Sequence, residues 1–189
     1  MIQIDPYQPT WYADFLRLGQ ALRQALGDLA LRIDHIGSTS VPGLVAKDRI
    51  DIQITVESLM PAVESALNQA GYVRVEQITQ DHLPLGANED IREWTKWVFK
   101  PAGESRPATV HVRVTGRANQ RYAILFRDYL RAFPATAAAY GQTKAALAKY
   151  HADDAEAYYE VKDPVCDIIM GGAEFWAATV HWQPAPTDA

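Results

Sequence analysis

Residues 50–56 read Ile-Asp-Ile-Gln-Ile-Thr-Val. Successive side chains of an extended chain point to opposite faces, so Ile50, Ile52, Ile54 and Val56 share one side and Asp51, Gln53 and Thr55 the other. Such a strand packs one face on an apolar core. Its other face must be polar, because an unpaired buried carboxylate is very costly. Upstream, Leu29 to Ile36 reads as a strand and runs straight into Gly37-Ser38-Thr39-Ser40. Glycine lets the backbone turn sharply and approach a ligand closely, and free amides and hydroxyls in such a turn hold phosphate oxygens. Twelve residues separate Ser38 from Asp51, with Lys47 between them. Strand, small-residue turn, short crossover and second strand bring backbone amides and a carboxylate to one point. The segment is neither a Walker loop nor a nucleophile elbow, since neither glycine spacing occurs. A simple capped turn leading into Pro42-Gly43 is the structural alternative.

The rest of the chain frames this core. Trp11, Phe15, Leu16, Leu18, Leu22 and Leu26 recur at helical spacing, with Thr10 placed to cap them. Leu59–Ala70 is a predicted helix and Tyr72–Ile78 a strand, followed by a polar loop over residues 80–93 long enough to act as a lid. Trp94–Lys100 and Thr109–Thr115 are further predicted strands. From Gln120 onward the pattern is helical: one apolar stripe through Tyr122, Leu125, Phe126, Tyr129, Leu130 and Phe133, then helices over Ala135–Tyr150 and Asp154–Trp176. Asp153-Asp154 suits a helix start, where acids meet the positive end of the dipole. Strands early and helices late predict an α+β fold with a mixed β-sheet, packed helices and a helical C-terminal region, in a single domain over residues 1–189.

Composition narrows the function classes. The formal charge is -5, which argues against general nucleic-acid binding, since that needs a basic face to displace counterions. Cys166 is the one cysteine; it excludes an internal disulfide and suits a reducing compartment. Met1–Pro6 lacks a signal-peptide pattern and no apolar run is long enough to span a membrane, so a cytoplasmic protein is expected. Neither the histidines nor Cys166 show zinc-ligand spacing.

The polar faces of the two strands collect the candidate chemistry. Asp51 is the candidate metal ligand, and with His111 the candidate for catalytic work. Gly37, Ser38, Thr39 and Ser40 are candidates for gripping phosphate. Lys47 is placed to counter an anion, or to be a solvated loop lysine. His111 and Arg113 fall on one face of the later strand, and guanidinium forks onto phosphate or carboxylate. Gln53 adds a neutral amide beside Asp51. His35 is either a core histidine at the strand end or a phosphate contact. His82 and Lys96 flank the polar loop, in which Glu89, Asp90 or Glu93 could supply a further acid on closure. Arg127 and Asp128 read as an ion pair within the helix or to the sheet, with Arg127 reaching the site as the alternative.

A strand ending in Gly37-Ser38 followed by a strand carrying Asp51 resembles the core of the nucleotidyltransferase-fold superfamily. That resemblance implies paired acids holding Mg2+ or Mn2+, which bridge a triphosphate. Here the second acid is Gln53, and the neighbouring strand offers His111 and Arg113 where the superfamily often adds a third. A closer resemblance is to the GrpB family. It is carried by His35–Leu44 with Ala46-Lys47 and Ile50-Asp51-Ile52, by Leu125–Ala132, and by Tyr140–Lys144 with Tyr159, Lys162 and Trp176, and it runs from Pro6 to Trp182. The Ala46–Gln53 stretch is also similar to GrpB-like domains fused behind dephospho-coenzyme A kinase in some bacteria. The resemblance implies a nucleotidyltransferase-like mixed sheet. Three functions follow as expectations: a protein that binds a nucleotide or phosphorylated small molecule at the Gly-Ser turn and Asp51 and transfers a nucleotidyl group; a non-catalytic anion-binding or regulatory module with a degenerate site; or an interaction domain whose polar pocket is a structural network.

Overall fold

The alternation over residues 50–56 is realised as a central strand. In the computed structural model, which describes residues 1–103 and 105–189, a five-stranded sheet is built from β1 (Arg32–Ile36), β2 (Ile50–Val56), β3 (Tyr72–Arg74), β4 (Trp97–Pro101) and β5 (Ala108–Val114) in the order β1-β2-β5-β4-β3. β2 pairs antiparallel with β1 and parallel with β5; the remaining pairs are antiparallel. The sheet is therefore mixed and the fold α+β, as expected. β1, the Gly37-Ser38 turn and β2 form the strand-turn-strand core that the resemblance implies.

Register separates the two faces. On one, Ile33, Ile50, Ile52, Ile54, Phe99, Val110 and Val112 are buried against Trp11, Phe15, Leu22 and Leu26 of α1 (Thr10–Leu26) and Val63 and Leu67 of α2 (Pro61–Gln69). Burying each such side chain contributes about 1.5–3 kcal/mol. On the other face stand Asp51, Gln53, Thr55, Thr109, His111 and Arg113, with Asp51 opposite Thr109 and Gln53 opposite His111.

Helices α3 (Ala118–Ala132), α4 (Pro134–Tyr150) and α5 (Ala155–Val180) pack on one another through Leu125, Leu130, Ala137, Tyr140, Ile169, Met170 and Ala173. α3 lies against β1 and β5. Residues 185–189 return along the free side of β1, where Thr187, Asp188 and Ala189 bond Ile33 and the Asp188 carboxylate accepts from the His35 amide. This covers an edge that would otherwise leave ladder groups unpaired.

Four local expectations shift. The strand expected from Leu29 begins at Arg32, after a 3-10 turn over Gly27–Leu29. Thr10 is inside α1 and caps nothing; Pro9 precedes the helix instead, without a side-chain bond. The strand expected over Tyr72–Ile78 ends at Arg74, and the one expected from Trp94 begins at Trp97. Asp154 does start α5, accepting from the Ala157 amide at 2.9 Å.

Candidate functional site

The Gly37 turn and Asp51 are built against each other. Gly37 has φ 68° and ψ -174°, a region open essentially to glycine alone. A Cβ there would stand 2.5 Å from Asp51 Oδ2, so the missing side chain is what lets the turn sit on the carboxylate. Helix α3 braces the turn from behind. Arg127 Nη1 donates to the His35 carbonyl at 3.0 Å, and Arg131 Nε and Nη2 donate to the Ser40 carbonyl at 3.0 and 2.8 Å. Arg127 also forms the expected pair with Asp128 at 2.7 Å. Gly37→Ala should lower stability by about 1–3 kcal/mol from backbone strain alone. Urea unfolding measures this, and a variant as stable as the parent would contradict the geometry.

Within the turn the hydroxyls have different roles. Ser40 Oγ donates to the Gly37 carbonyl at 2.6 Å and is held there. Thr39 Oγ1 lies 3.0 Å from His35 Nε2. Ser38 Oγ instead accepts from Lys144 Nζ of α4 at 2.6 Å. His35 does not reach the polar side. Its ring is 1% exposed and stacks on Phe15 of α1 with centroids 4.6 Å apart. Burial pulls its pKa down to about 3, so it is a neutral core histidine and not a phosphate contact.

Gln53 and Arg113 are brought together, but with each other. Arg113 Nη1 donates to Gln53 Oε1 at 2.6 Å, and Gln53 Nε2 donates to the Gln120 carbonyl at 3.0 Å. The rest of the guanidinium forks onto Asp81, Nε and Nη2 each at 2.8 Å. Lys96 Nζ also reaches Asp81 at 2.5 Å, and Asn119 Nδ2 donates to it at 3.1 Å. Burial alone would raise the Asp81 pKa. The Arg113 and Lys96 cations outweigh it and hold the carboxyl well below the usual range. Arg113 is thus neutralised inside the protein, in place of the expected ligand contact. The acid that neutralises it comes from the 80–93 loop, as Asp81. Of Glu89, Asp90 and Glu93, the loop acids expected to supply a further acid to the site on closure, Asp90 pairs with Arg92, and Glu93 with Arg117 and the Ala118 amide.

What remains open to a ligand is a cleft of about 900 Å³ between the polar face and α3–α5, lined by Gly37, Ser38, Thr39, Lys47, Asp51 and His111 from the expected set and bordered by the already paired Arg113. Asp51 keeps 33% of its side chain exposed, with His111 Nε2 3.9 Å away, beyond hydrogen-bonding distance. Burial lowers the His111 pKa, which favours the neutral ring. Lys144 and Lys162, from α4 and α5, enter the same cleft beside Lys47. Lys144 is 3% exposed and also donates to the Val45 carbonyl at 2.6 Å. Burial, reinforced by the Lys162 and Lys47 ammonium groups, brings its pKa down to about 7. Gly141, one turn earlier, eases this close approach: a Cβ there would stand 3.2 Å from side-chain carbons of both Leu44 and Val45. Tyrosine rings form the aromatic part of the wall. Lys47 Nζ lies 4.4 Å from the Tyr158 ring centre and 4.9 Å from that of Tyr159, and Lys144 Nζ 4.6 Å from that of Tyr140.

The donor set does not fit a pair of divalent cations. Among the described residues no three His, Cys, Asp or Glu side chains gather as a metal cluster. Gln53 is occupied by Arg113, and Asp81 by two cations. Asp51 could contribute to one hard cation that takes its other oxygens from a ligand and water.

Comparison with known proteins agrees with this core. The family profile described as GrpB protein matches residues 1–171. A dephospho-CoA kinase of Mycolicibacterium paratuberculosis is 38% identical over 97% of this chain and 48% of its own length. The chain thus spans about half the length of the dephospho-CoA kinases it matches. A UPF0157 protein of Pseudomonas aeruginosa is 37% identical over 95% of this chain and 70% of its own. The crystal structure of the conserved protein GrpB from Enterococcus faecalis superposes with a TM-score of 0.71 at 30% identity, covering 92% of this chain and 99% of that one. With a profile match over most of its length and a solved relative of the same architecture, the chain belongs to the GrpB protein family.

Proposed function

We propose that this protein binds a nucleotide or another phosphorylated small molecule in the cleft, with phosphate against the Gly37-Ser38 turn and Asp51 facing it. The observation that carries this reading is the 2.6 Å bond from Lys144 to Ser38. It sets a buried ammonium directly behind a glycine turn, in a cleft that Lys47 and Lys162 also enter. Tyr158, Tyr159 and Tyr140 supply flat surfaces on which a base can stack, as aromatic side chains do for nucleotides. The dephospho-CoA kinases that share this half of their length carry, by name, an enzyme of phosphoryl transfer on the same polypeptide.

Transfer of a nucleotidyl group is the catalytic form of the proposal, with Asp51 at the reacting phosphate and any divalent ion there held by Asp51 and the ligand. The bond between Gln53 and Arg113 favours the alternative, a non-catalytic anion-binding or regulatory module, because it fills the second acid's position with a neutral, engaged amide.

Thermal melting against a ribonucleotide panel, with and without magnesium or manganese, tests the proposal. A ligand at about 100 times its Kd adds about 2.7 kcal/mol. At roughly 2–4 °C per kcal/mol for a chain of this size, that is a rise of roughly 5–11 °C. A metal-dependent rise abolished by Asp51→Asn supports transfer, whereas a rise indifferent to metal supports the binding module. A flat panel under every condition removes the nucleotide reading.

A further inference from the structure

The cleft's cations do not match its carboxylates. Lys162 is shared with Asp163 at 2.7 Å. Among the described residues, Lys47 and Lys144 have no carboxylate partner within 4.0 Å; Lys47 touches the Tyr159 hydroxyl, and Lys144 touches Ser38 and the Val45 carbonyl. Lys144 is nearly sealed from solvent, and the Lys162 and Lys47 charges bear on it unfavourably. Gathering ammonium groups in a partly desolvated cleft is costly unless a charge of opposite sign enters it. The cleft's own carboxylates fall short: Asp81 is already committed to Arg113 and Lys96, Asp163 is shared with Lys162, and Asp51 alone is left to face Lys47 and Lys144.

Metal-dependent sites of this general layout oppose carboxylates to phosphate and place divalent ions between them. In this chain the second carboxylate is absent and lysines come from three separate segments: the crossover before β2, α4 and α5. Lys144 is tied to the hydroxyl of the glycine turn itself, so it marks the point where a phosphate oxygen would displace or share the Ser38 contact. We propose that Lys144 and Lys47, supported by Lys162, neutralise the ligand's phosphate in place of a divalent pair, so that the protein binds a phosphate monoester or diphosphate without metal. This rests on the phosphate-ligand reading above and adds the charge class of the ligand and the means of its neutralisation.

Calorimetric titration with ADP and with inorganic pyrophosphate, in EDTA and then in excess magnesium, tests it. At least one probe should bind in EDTA, with less than about a tenfold gain from magnesium. Lys47→Met and Lys144→Met should each weaken that binding about 10–100-fold, the range expected for losing a charge-assisted hydrogen bond. Lys47 lies on the crossover loop, so its variant keeps the test decisive if Lys144→Met fails to fold. Asp51→Asn should bind the probe in EDTA at least as tightly as the parent, since it removes a negative charge facing the phosphate. Binding that requires magnesium, disappears in Asp51→Asn and survives Lys47→Met would overturn the lysine role while leaving the phosphate-ligand reading standing. No binding of either probe, by a protein that melts normally, would overturn both.

Discussion

Replacing Asp81 by alanine is expected to destabilise the protein by about 3–5 kcal/mol, the scale seen when one partner of a buried ion pair is removed. The variant would melt roughly 6–20 °C below the parent for a chain of this size. Asp81 holds three side chains at once: the Arg113 fork at 2.8 Å on both nitrogens, Lys96 at 2.5 Å and Asn119 at 3.1 Å. Arg113 and Lys96 keep only 6% and 9% of their side chains exposed. Without the carboxylate they become two unneutralised, mutually repelling cations under the sheet. The double variant Asp81→Ala with Arg113→Met should recover part of the loss, because Lys96 is then the one unneutralised cation, though Gln53 Oε1 loses its Arg113 donor. Acid should reproduce the effect. The folded carboxyl titrates below its unfolded value, so its contribution is present above about pH 4 and fades as pH falls through the folded pKa. Denaturant unfolding at neutral and acid pH measures both arms. A single variant within about 1 kcal/mol of the parent would show that this network does not organise the polar face.

The two largest elements of the site differ in how far sequence could find them. The alternation of residues 50–56 and the Gly37-Ser38 step are local patterns, and each sits where the pattern put it. His35 is open in the sequence between core and phosphate contact, and phase, not composition, decides for the core. In Arg-Ile-Asp-His-Ile the ring shares its side with Ile33, and Phe15 of α1 then closes over it. Asp81 is one of four acids in the 80–93 loop, and nothing periodic separates it from Glu89, Asp90 and Glu93. The usable signal was indirect: Arg113 on the polar face of a buried strand demands an acid, and the loop is where acids are. Lys144 carried no signal of this kind. In Thr-Lys-Ala-Ala-Leu-Ala-Lys it reads as a solvated helix lysine, and its burial comes from α4 settling, eased by Gly141, on Leu44 and Val45 from about a hundred residues away. Family resemblance marked the Tyr140–Lys144 stretch, Tyr159 and Lys162 as shared, but only packing brings Lys144 and Lys162 to one cleft with Lys47.

Lys144→Met is expected to flatten the stability of the protein between about pH 7 and pH 10. In the unfolded chain a lysine stays protonated to about pH 10.4; in the fold, burial brings Lys144 down to about 7. Between those values the unfolded chain holds one more proton than the folded one, so stability rises with pH, by at most about 1.4 kcal/mol per unit. Methionine has no proton to release, and its curve should lack that rise. The parent and variant curves should therefore diverge by about 2–3 kcal/mol from pH 7 to pH 9. The groups that bear on Lys144 are Lys162, Cys166, Asp163 and Tyr158 of α5, Tyr140 of α4, Lys47 of the crossover and Asp51 of β2. All are retained in the variant, so the difference between the curves isolates the one ammonium. Binding should move in the opposite sense to stability. A phosphate against Ser38 favours the charged lysine, so affinity for pyrophosphate falls as pH rises past 7 in the parent and loses that dependence in the variant. Parallel stability curves would mean that Lys144 holds its proton as tightly in the cleft as in water, and the cleft would then be far wetter than its geometry indicates.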